Sequence, residues 1–205
     1  MIEKGPPYSL LKAIGIPLFK IYFRLTFKGQ ENIPSDGGVI IASNHASFID
    51  PLVIAAGIKR KVGFIIIDTY YNKPLIKWFC KSTECIPVSE EMEGAGSMKQ
   101  AIKYLKRGNV LCIFPEGGRT RDGQLLPAKS GVGILALLTG ATVIPTVVKG
   151  SFQAYAPHHR FPRPKRIEVI FGKGLNFAQK EGISKKEQAK EVTDIIMEKI
   201  KSLCR

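Results

Sequence analysis

Acidic residues are scarce in this chain. Its 205 residues include 31 Lys and Arg but only 17 Asp and Glu, which gives a formal net charge of +14. An excess of this size is typical of proteins that contact phosphate groups, whether in nucleic acid, in anionic lipid or on a phosphorylated substrate. The composition therefore narrows the expected partners before any motif is considered.

Cysteine is also rare, and its spacing argues against a metal site. The four cysteines form no C-x-x-C pair and have no histidine ligand set nearby: Cys80, Cys85, Cys112 and Cys204. We therefore expect reduced and mostly buried thiols, as in an intracellular enzyme, with no bound metal.

Two further signatures are missing from the sequence. Ser43 and Ser47 flank His45, but no G-x-S-x-G elbow surrounds either serine, which argues against a serine hydrolase. The apolar stretch near the N-terminus is not followed by a small-residue cleavage site, so we do not predict a signal peptide.

The pattern of apolar residues predicts an α/β fold, with a largely parallel central sheet flanked by helices. At 205 residues, a single folded domain is the default. Apolar runs and helical periods alternate along it, which predicts strands at residues 38–42, 62–67, 85–88, 110–114, 143–148 and 166–171, and helices at 50–57, 74–81, 97–108, 131–139 and 184–203.

Residues 8–27 are strongly apolar and aromatic, but cations and a proline interrupt them. Lys12, Lys20 and Arg24 fall on one side of a helix, and Pro17 would kink it. We predict an amphipathic helical segment, residues 1–27, that lies on a membrane, followed by the α/β domain, residues 28–205. An ordinary core-packing helix is the alternative.

A first candidate site follows the strand at residues 38–42. His45 lies between that strand and a helix start marked by Asp50 and Pro51. In such a turn, Asp50 could cap the helix with one oxygen and hold His45 in one tautomer with the other, so that the histidine acts as a general base. The alternative is a plain N-cap aspartate beside an unrelated loop histidine, and these residues alone do not decide between the two.

A second candidate site follows the strand at residues 110–114. That strand leads into a turn rich in glycine, hydroxyl and guanidinium groups: Glu116, Gly117, Gly118, Arg119, Thr120 and Arg121. Glycine amides and arginine side chains are suited to a phosphate. A solvated basic turn is the alternative. In a parallel sheet this turn would share an edge with His45.

Together the two sites resemble a known family. Asn44, His45 and Asp50, followed by the run Phe114-Pro115-Glu116-Gly117 with Arg119, are similar to the glycerolipid acyltransferases of the lysophosphatidate acyltransferase type. The resemblance extends to Val143-Ile144-Pro145 and covers residues 27–174. Either motif alone is weak, but the pair in this order is specific.

The resemblance implies an enzyme that moves a fatty acyl group from acyl-CoA or acyl-carrier protein to a lysophospholipid hydroxyl, most simply that of 1-acyl-glycerol-3-phosphate. It implies His45 as general base, Asp50 as its orienting partner, and the Glu116–Arg121 turn around the acceptor phosphate. It implies neither a bound cofactor nor a covalent acyl-enzyme. Glycerol-3-phosphate and a lyso-aminolipid are alternative acceptors.

Four positions depart from the family pattern, and two of them change its charge. Asp68 and Ser89 stand where relatives often carry basic residues of a second motif, and Lys73, Lys77 or Lys81 are candidates to replace that charge. Gly118 and Thr120 replace a threonine and a serine, which are mild changes. The departures bear on the acceptor more than on the histidine.

The expected setting is the cytoplasmic face of an anionic membrane, with the protein peripheral or monotopic. The basic, proline-rich residues 157–166 form a solvated loop or contact headgroups or an acidic carrier protein. A non-catalytic module that binds anionic lipid or nucleic acid is the competing class. No nucleic-acid motif accompanies the charge, so we expect no nucleic-acid partner.

Overall fold

A computed structural model describes residues 8–67, 80, 83, 85–88 and 95–205. In chain order its elements are α1 (Tyr8–Tyr22), β1 (Thr26–Lys28), a short 3-10 turn (Gln30–Asn32), β2 (Val39–Ser43), α2 (Asp50–Gly57), β3 (Val62–Ile67), β4 (Ile86–Val88), α3 (Ala95–Lys106), β5 (Val110–Ile113), α4 (Gly131–Thr139), β6 (Thr142–Lys149), α5 (Ser151–Tyr155), β7 (Glu168–Phe171) and α6 (Lys185–Cys204).

The described strands form one sheet in the order β1-β7-β6-β2-β5-β3-β4. Neighbouring strands are parallel except for β6 and β7, which pair antiparallel. Strand β2 is fully buried and apolar except for Ser43 at its end, and it lies between β6 and β5, as expected of a strand covered on both faces. The predicted α/β fold with a largely parallel sheet is confirmed.

Helices cover both faces of the sheet. On one face, Val53 and Ile54 of α2 and Ala154 of α5 pack with Phe23, which follows α1. On the other face a second apolar cluster brings together residues of α3, α4 and α6, and Gly133 of α4 lies so close to Ala189 of α6 that a Cβ there would be 2.1 Å from its carbonyl oxygen. The two clusters hold the sheet in place, and its carboxyl edge is where the candidate sites lie.

The N-terminal helix is shorter than predicted. It ends at Tyr22, not at Phe27, and Thr26–Lys28 instead forms the edge strand β1, which pairs with β7. Phe23 and Leu25 are 2% and 4% exposed. Both side chains pack in the apolar core. The apolar run in the sequence therefore continues past the end of the helix and into the strand, which is why the sequence pattern did not show where the helix ends. None of the described helices combines the length and apolar character needed to cross a bilayer.

Two further predictions of local structure need correction. Ser97 does not cap a helix, because α3 begins two residues earlier, at Ala95. The five-residue helix α5 was not predicted. By contrast, Ser184 caps α6 as predicted, since its hydroxyl accepts a hydrogen bond from the Glu187 N–H. Of the helix predicted at residues 74–81 the structure describes Cys80 alone, which is helical, and Asp68 and Ser89 lie outside the described residues.

Candidate active site

The two predicted sites lie side by side at one edge of the sheet. Strands β2 and β5 are parallel neighbours, with Ala42 opposite Ile113. The chain leaves β2 toward His45 and leaves β5 toward Glu116. The carboxyl ends of β2 and β5 therefore lie at the same edge of the sheet, where α/β proteins commonly bind ligands.

His45 and Asp50 form a direct pair. His45 Nδ1 lies 2.9 Å from Asp50 Oδ2, and the Asp50 side chain is fully buried while that of His45 is 17% exposed. With Nδ1 engaged by a carboxylate, Nε2 is the ring nitrogen that can exchange a proton with a substrate. The geometry is that of an oriented general base, so the predicted contact between these residues is present.

Asp50 does not cap its helix in the way predicted. The N-cap of α2 is Ile49, and Asp50 is already helical. Its Oδ2 accepts the N–H groups of Ala46 at 2.8 Å and Ser47 at 2.7 Å, in addition to the histidine. The loop curls back over the carboxylate, so one oxygen serves the loop amides and the imidazole together, while Oδ1 has no hydrogen-bond partner among the described residues.

Neighbouring polar side chains fix this loop to the sheet. The Asn44 side chain spans the β6 backbone at Val148, accepting its N–H at 2.8 Å and donating to its carbonyl at 3.3 Å. Ser47 is fully buried and donates its hydroxyl to the Tyr155 carbonyl at 2.6 Å. Ser47 is thus a structural residue, which agrees with the sequence argument against a serine nucleophile.

Glu116 braces the two loops against each other. Its carboxylate accepts the backbone N–H of His45 at 2.8 Å and that of Leu126 at 2.7 Å, and the residue is 6% exposed. Burial raises the pKa of this carboxyl, against the lowering effect of those two hydrogen bonds. A second bond runs between the loops from the Thr120 N–H to the His45 carbonyl at 3.0 Å. Glu116 therefore contacts backbone amides on both sides, whereas the resemblance implied a contact with the acceptor.

Two aromatic rings position the charged groups. The His45 ring stacks on Phe114, with centroids 3.9 Å apart and planes 16° apart. The Arg119 guanidinium lies 3.5 Å above the ring of Phe48, which belongs to the histidine loop. Stacking of this kind restricts the arginine side chain, which is half-buried, and keeps its charge beside the histidine loop. His45 and Arg119 consequently belong to one site.

The glycine turn is open to solvent and is flanked by a lysine. Gly117 and Gly118 are exposed, and Gly117 has a φ of 71°, a conformation that favours glycine. A Cβ on Gly117 would be 3.1 Å from Cε and 3.4 Å from Nζ of Lys129. The ammonium group of Lys129 thus lies beside the turn that was predicted to bind phosphate.

The two remaining predicted residues differ in position. Thr120 is 2% exposed, and its hydroxyl donates to Asp122 at 2.8 Å and accepts the Gly123 N–H at 3.1 Å. It shapes the turn, so its hydroxyl is not directed to a ligand. Arg121 is exposed, and its contact with phosphate stays a prediction.

Sequence reasoning missed Phe48 and Lys129. Phe48 lies inside the histidine motif, but its contact is with a residue 71 positions later. Lys129 follows the arginine turn by only a few residues and directly precedes Ser130 and the start of α4. A cation just before a helix that follows a glycine turn was the available signal for Lys129; no local spacing signals the ring contact.

Comparison with known proteins gives consistent matches. The sequence model of the family described as Acyltransferase matches residues 24–149. A 1-acyl-sn-glycerol-3-phosphate acyltransferase of Bacillus subtilis is 27% identical over 175 residues, which cover 85% of each chain. The chloroplastic 1-acyl-sn-glycerol-3-phosphate acyltransferase LPAT1 of Arabidopsis thaliana is 29% identical over 133 residues, 63% of this chain and 37% of that longer one.

A solved structure shares the fold. The crystal structure of the 1-acyl-sn-glycerophosphate acyltransferase PlsC from Thermotoga maritima superposes with a TM-score of 0.77 and covers 96% of this chain and 79% of that chain. At 23% identity the likeness is one of architecture. It extends over the whole arrangement of sheet and helices that brings the two loops together.

Proposed function

Because the chain belongs to the acyltransferase family, whose sequence model matches residues 24–149, we propose that it acylates the free hydroxyl of 1-acyl-glycerol-3-phosphate in phospholipid synthesis. The donor is a fatty acyl thioester, carried by CoA or by acyl-carrier protein. The observation that carries the proposal is the 2.9 Å contact between His45 Nδ1 and Asp50 Oδ2 next to a turn of glycine and arginine.

The chemistry needs one proton acceptor and no covalent intermediate. His45 Nε2 removes the proton from the acceptor hydroxyl as its oxygen attacks the thioester carbonyl carbon. The C–S bond then breaks, and the imidazolium returns the proton to the leaving thiolate. Asp50 holds the ring and stabilises its positive charge while the proton is on it.

The acceptor phosphate is proposed to lie at the glycine turn. Arg119, held over Phe48, and Lys129, beside Gly117, supply two positive charges there. A phosphomonoester carries nearly two negative charges, so a pair of cations suits it. This favours a phosphorylated acceptor over a lyso-aminolipid. Relatives often carry basic residues at the positions of Asp68 and Ser89, and Lys129 supplies a positive charge of that kind.

The proposed setting is the cytoplasmic face of the membrane, since a lysophospholipid acceptor resides in the bilayer. Helix α1 presents Leu18 and Ile21 to solvent at 61% and 78% exposure. An apolar helix face flanked by cations is suited to the interface between headgroups and acyl chains. We propose α1 as a membrane contact.

The test is a thioester assay with product identification. Purified protein is given radiolabelled acyl-CoA or acyl-carrier protein with 1-acyl-glycerol-3-phosphate, glycerol-3-phosphate or a lyso-aminolipid. We expect the first acceptor to be used best. His45→Ala should lower kcat by at least about 100-fold while the chain stays folded, whereas Lys199→Ala, an exposed change on α6, serves as the control. Near-normal turnover in His45→Ala would exclude this residue as the base.

A further inference from the structure

Exposed apolar side chains are concentrated in one part of the molecule. The large apolar residues that the structure describes as exposed are Leu18, Ile21, Tyr22, Phe48, Phe161 and Ile183. The first three belong to α1, and Phe161, at 68% exposure, belongs to residues 158–166, which we call the basic loop. Scattered exposed apolar residues are ordinary, but a contiguous group indicates a binding surface.

Hydrogen bonds join the basic loop to the end of α1. The Tyr22 hydroxyl donates to the Pro162 carbonyl at 2.9 Å. Just beyond, the Ile167 N–H donates to the Phe23 carbonyl at 3.0 Å, and the Thr26 N–H donates to the Ile167 carbonyl at 3.0 Å. Segments about 140 residues apart in sequence therefore form one surface.

The same surface reaches the histidine loop. The Arg163 N–H donates to the Ala154 carbonyl of α5 at 2.8 Å. The next residue of α5, Tyr155, accepts the Ser47 hydroxyl and lies with its ring 5.9 Å from that of Phe48. Direct contacts thus link the basic loop to α5, and α5 to the loop that carries His45.

The charge of this surface is positive. Every residue from 160 to 166 is exposed, and this stretch contains four cations and no acid: Arg160, Arg163, Lys165 and Arg166. The Arg160 guanidinium lies 5.4 Å from the ring of Phe161. Lys20 and Arg24, both exposed, add two cations from α1 and the residues after it.

Arg24 has an unusual backbone. With a φ of 46° it is the one non-glycine residue at positive φ in the part of the chain that the structure describes. It follows the last turn of α1, where a glycine would adopt this conformation without strain. An arginine held in such a conformation suggests that its charge serves a purpose at this surface.

We propose that the basic loop and the end of α1 together form one membrane-docking surface, in which Phe161 inserts among the lipids and the surrounding cations contact anionic headgroups. A membrane is the binding partner favoured here, because cations surround the exposed aromatic side chains of this surface. The surface also lies beside the His45 site, which would receive a lipid. The inference rests on the proposed function and deepens it, since contacts through α5 place this surface next to the loop that carries His45. Membrane binding then depends on two distant segments and not on α1 alone.

The experiment measures co-sedimentation of the full chain with vesicles of phosphatidylcholine alone or mixed with phosphatidylglycerol, in the absence of substrate. Phe161→Ser should lower the partition coefficient on anionic vesicles about tenfold. Arg163→Gln should lower it about fivefold, and only where anionic lipid is present. Because no acyl transfer is measured, this result is independent of whether the proposed reaction is correct.

Matched variants separate the surface from general effects. Ile183→Ser removes an exposed apolar side chain that lies outside the surface, and Lys199→Gln removes a cation from α6; both should bind vesicles as the unmodified chain does. Arg24→Gly should weaken binding about fivefold while its melting temperature stays equal or rises, because glycine relieves the backbone strain.

Two outcomes would overturn the inference. One is vesicle binding by Phe161→Ser that equals that of the unmodified chain or of Ile183→Ser. The other is intact vesicle binding by Arg163→Gln and Phe161→Ser together with weakened binding of acyl-carrier protein, which would make this surface a site for the acidic carrier instead.

Discussion

The two loops that form the candidate site differ in how their polar groups are used. In the histidine loop, residues 44–50, the buried polar side chains of Ser47 and Asp50 bind backbone groups, and Asn44 binds β6. In the arginine loop, residues 115–126, the Glu116 carboxylate likewise binds a backbone N–H, that of Leu126, but the tip of the loop at Gly117 and Gly118 is exposed.

The contrast separates positioning from recognition. A base must be held within a fraction of an ångström of its working position, and the histidine loop achieves this with several short hydrogen bonds. A group that binds a phosphate needs charge and access, and the proposed phosphate site combines the half-buried Arg119 with the exposed Gly117, Gly118 and Lys129. Changes in the first loop should therefore lower kcat, and changes at the tip of the second should raise KM.

Apart from the loss of His45 itself, the largest effect is expected at Asp50. In Asp50→Asn the amide can still accept the Ala46 and Ser47 N–H groups, but it no longer stabilises a protonated His45 and can hold the wrong tautomer. We expect kcat to fall by at least about 100-fold, with KM for both substrates little changed. Steady-state kinetics check this, with exposed Asp36→Asn as the control. A large rise in KM with normal kcat would contradict the division between the loops.

A smaller effect is expected where the two loops meet. Glu116→Gln replaces two carboxylate oxygens with one carbonyl oxygen, so the N–H of His45 or that of Leu126 loses its acceptor. A buried unpaired donor costs about 1–3 kcal/mol in the free energy of unfolding. Urea unfolding should show this loss, and kcat should fall more than KM rises.

Glu198→Gln, an exposed change on α6, is the control for that measurement. The opposite kinetic pattern, in which Glu116→Gln mainly raises KM for the phosphorylated acceptor, would place Glu116 at the substrate and not between the loops. It would then restore the role that the family resemblance implied.

The sequence predicts the fold and the meeting of the two motifs because both depend on local patterns. Apolar runs mark strands, and parallel strands open at one edge, so His45 and the Glu116–Arg121 turn were expected to lie together. The direction of each side chain is a different matter. Whether Asp50 binds helix or loop amides depends on the path of the backbone over four residues, which no spacing encodes.

Long-range contacts account for the remaining differences. Phe23 and Leu25 continue the apolar pattern of α1, so the sequence gives no sign that the helix ends before the three-residue strand β1 forms by pairing with β7. The contact of Phe48 with Arg119 likewise joins the loop that follows β2 to the loop that follows β5. Such features follow from tertiary packing, and local propensity does not determine them.

The smallest effect is expected for the two cations beside the glycine turn, where the acceptor phosphate is proposed to bind. Arg119→Ala and Lys129→Gln should each raise KM for the phosphorylated acceptor about tenfold, since one charge-assisted contact to a phosphate contributes about 1.4 kcal/mol, while KM for the thioester donor and kcat change little. Kinetics with each substrate varied in turn measure this, with exposed Lys173→Gln as the control. If the donor KM rises instead, the tip binds the phosphates of the acyl carrier, and recognition of the acceptor must be assigned to another part of the site.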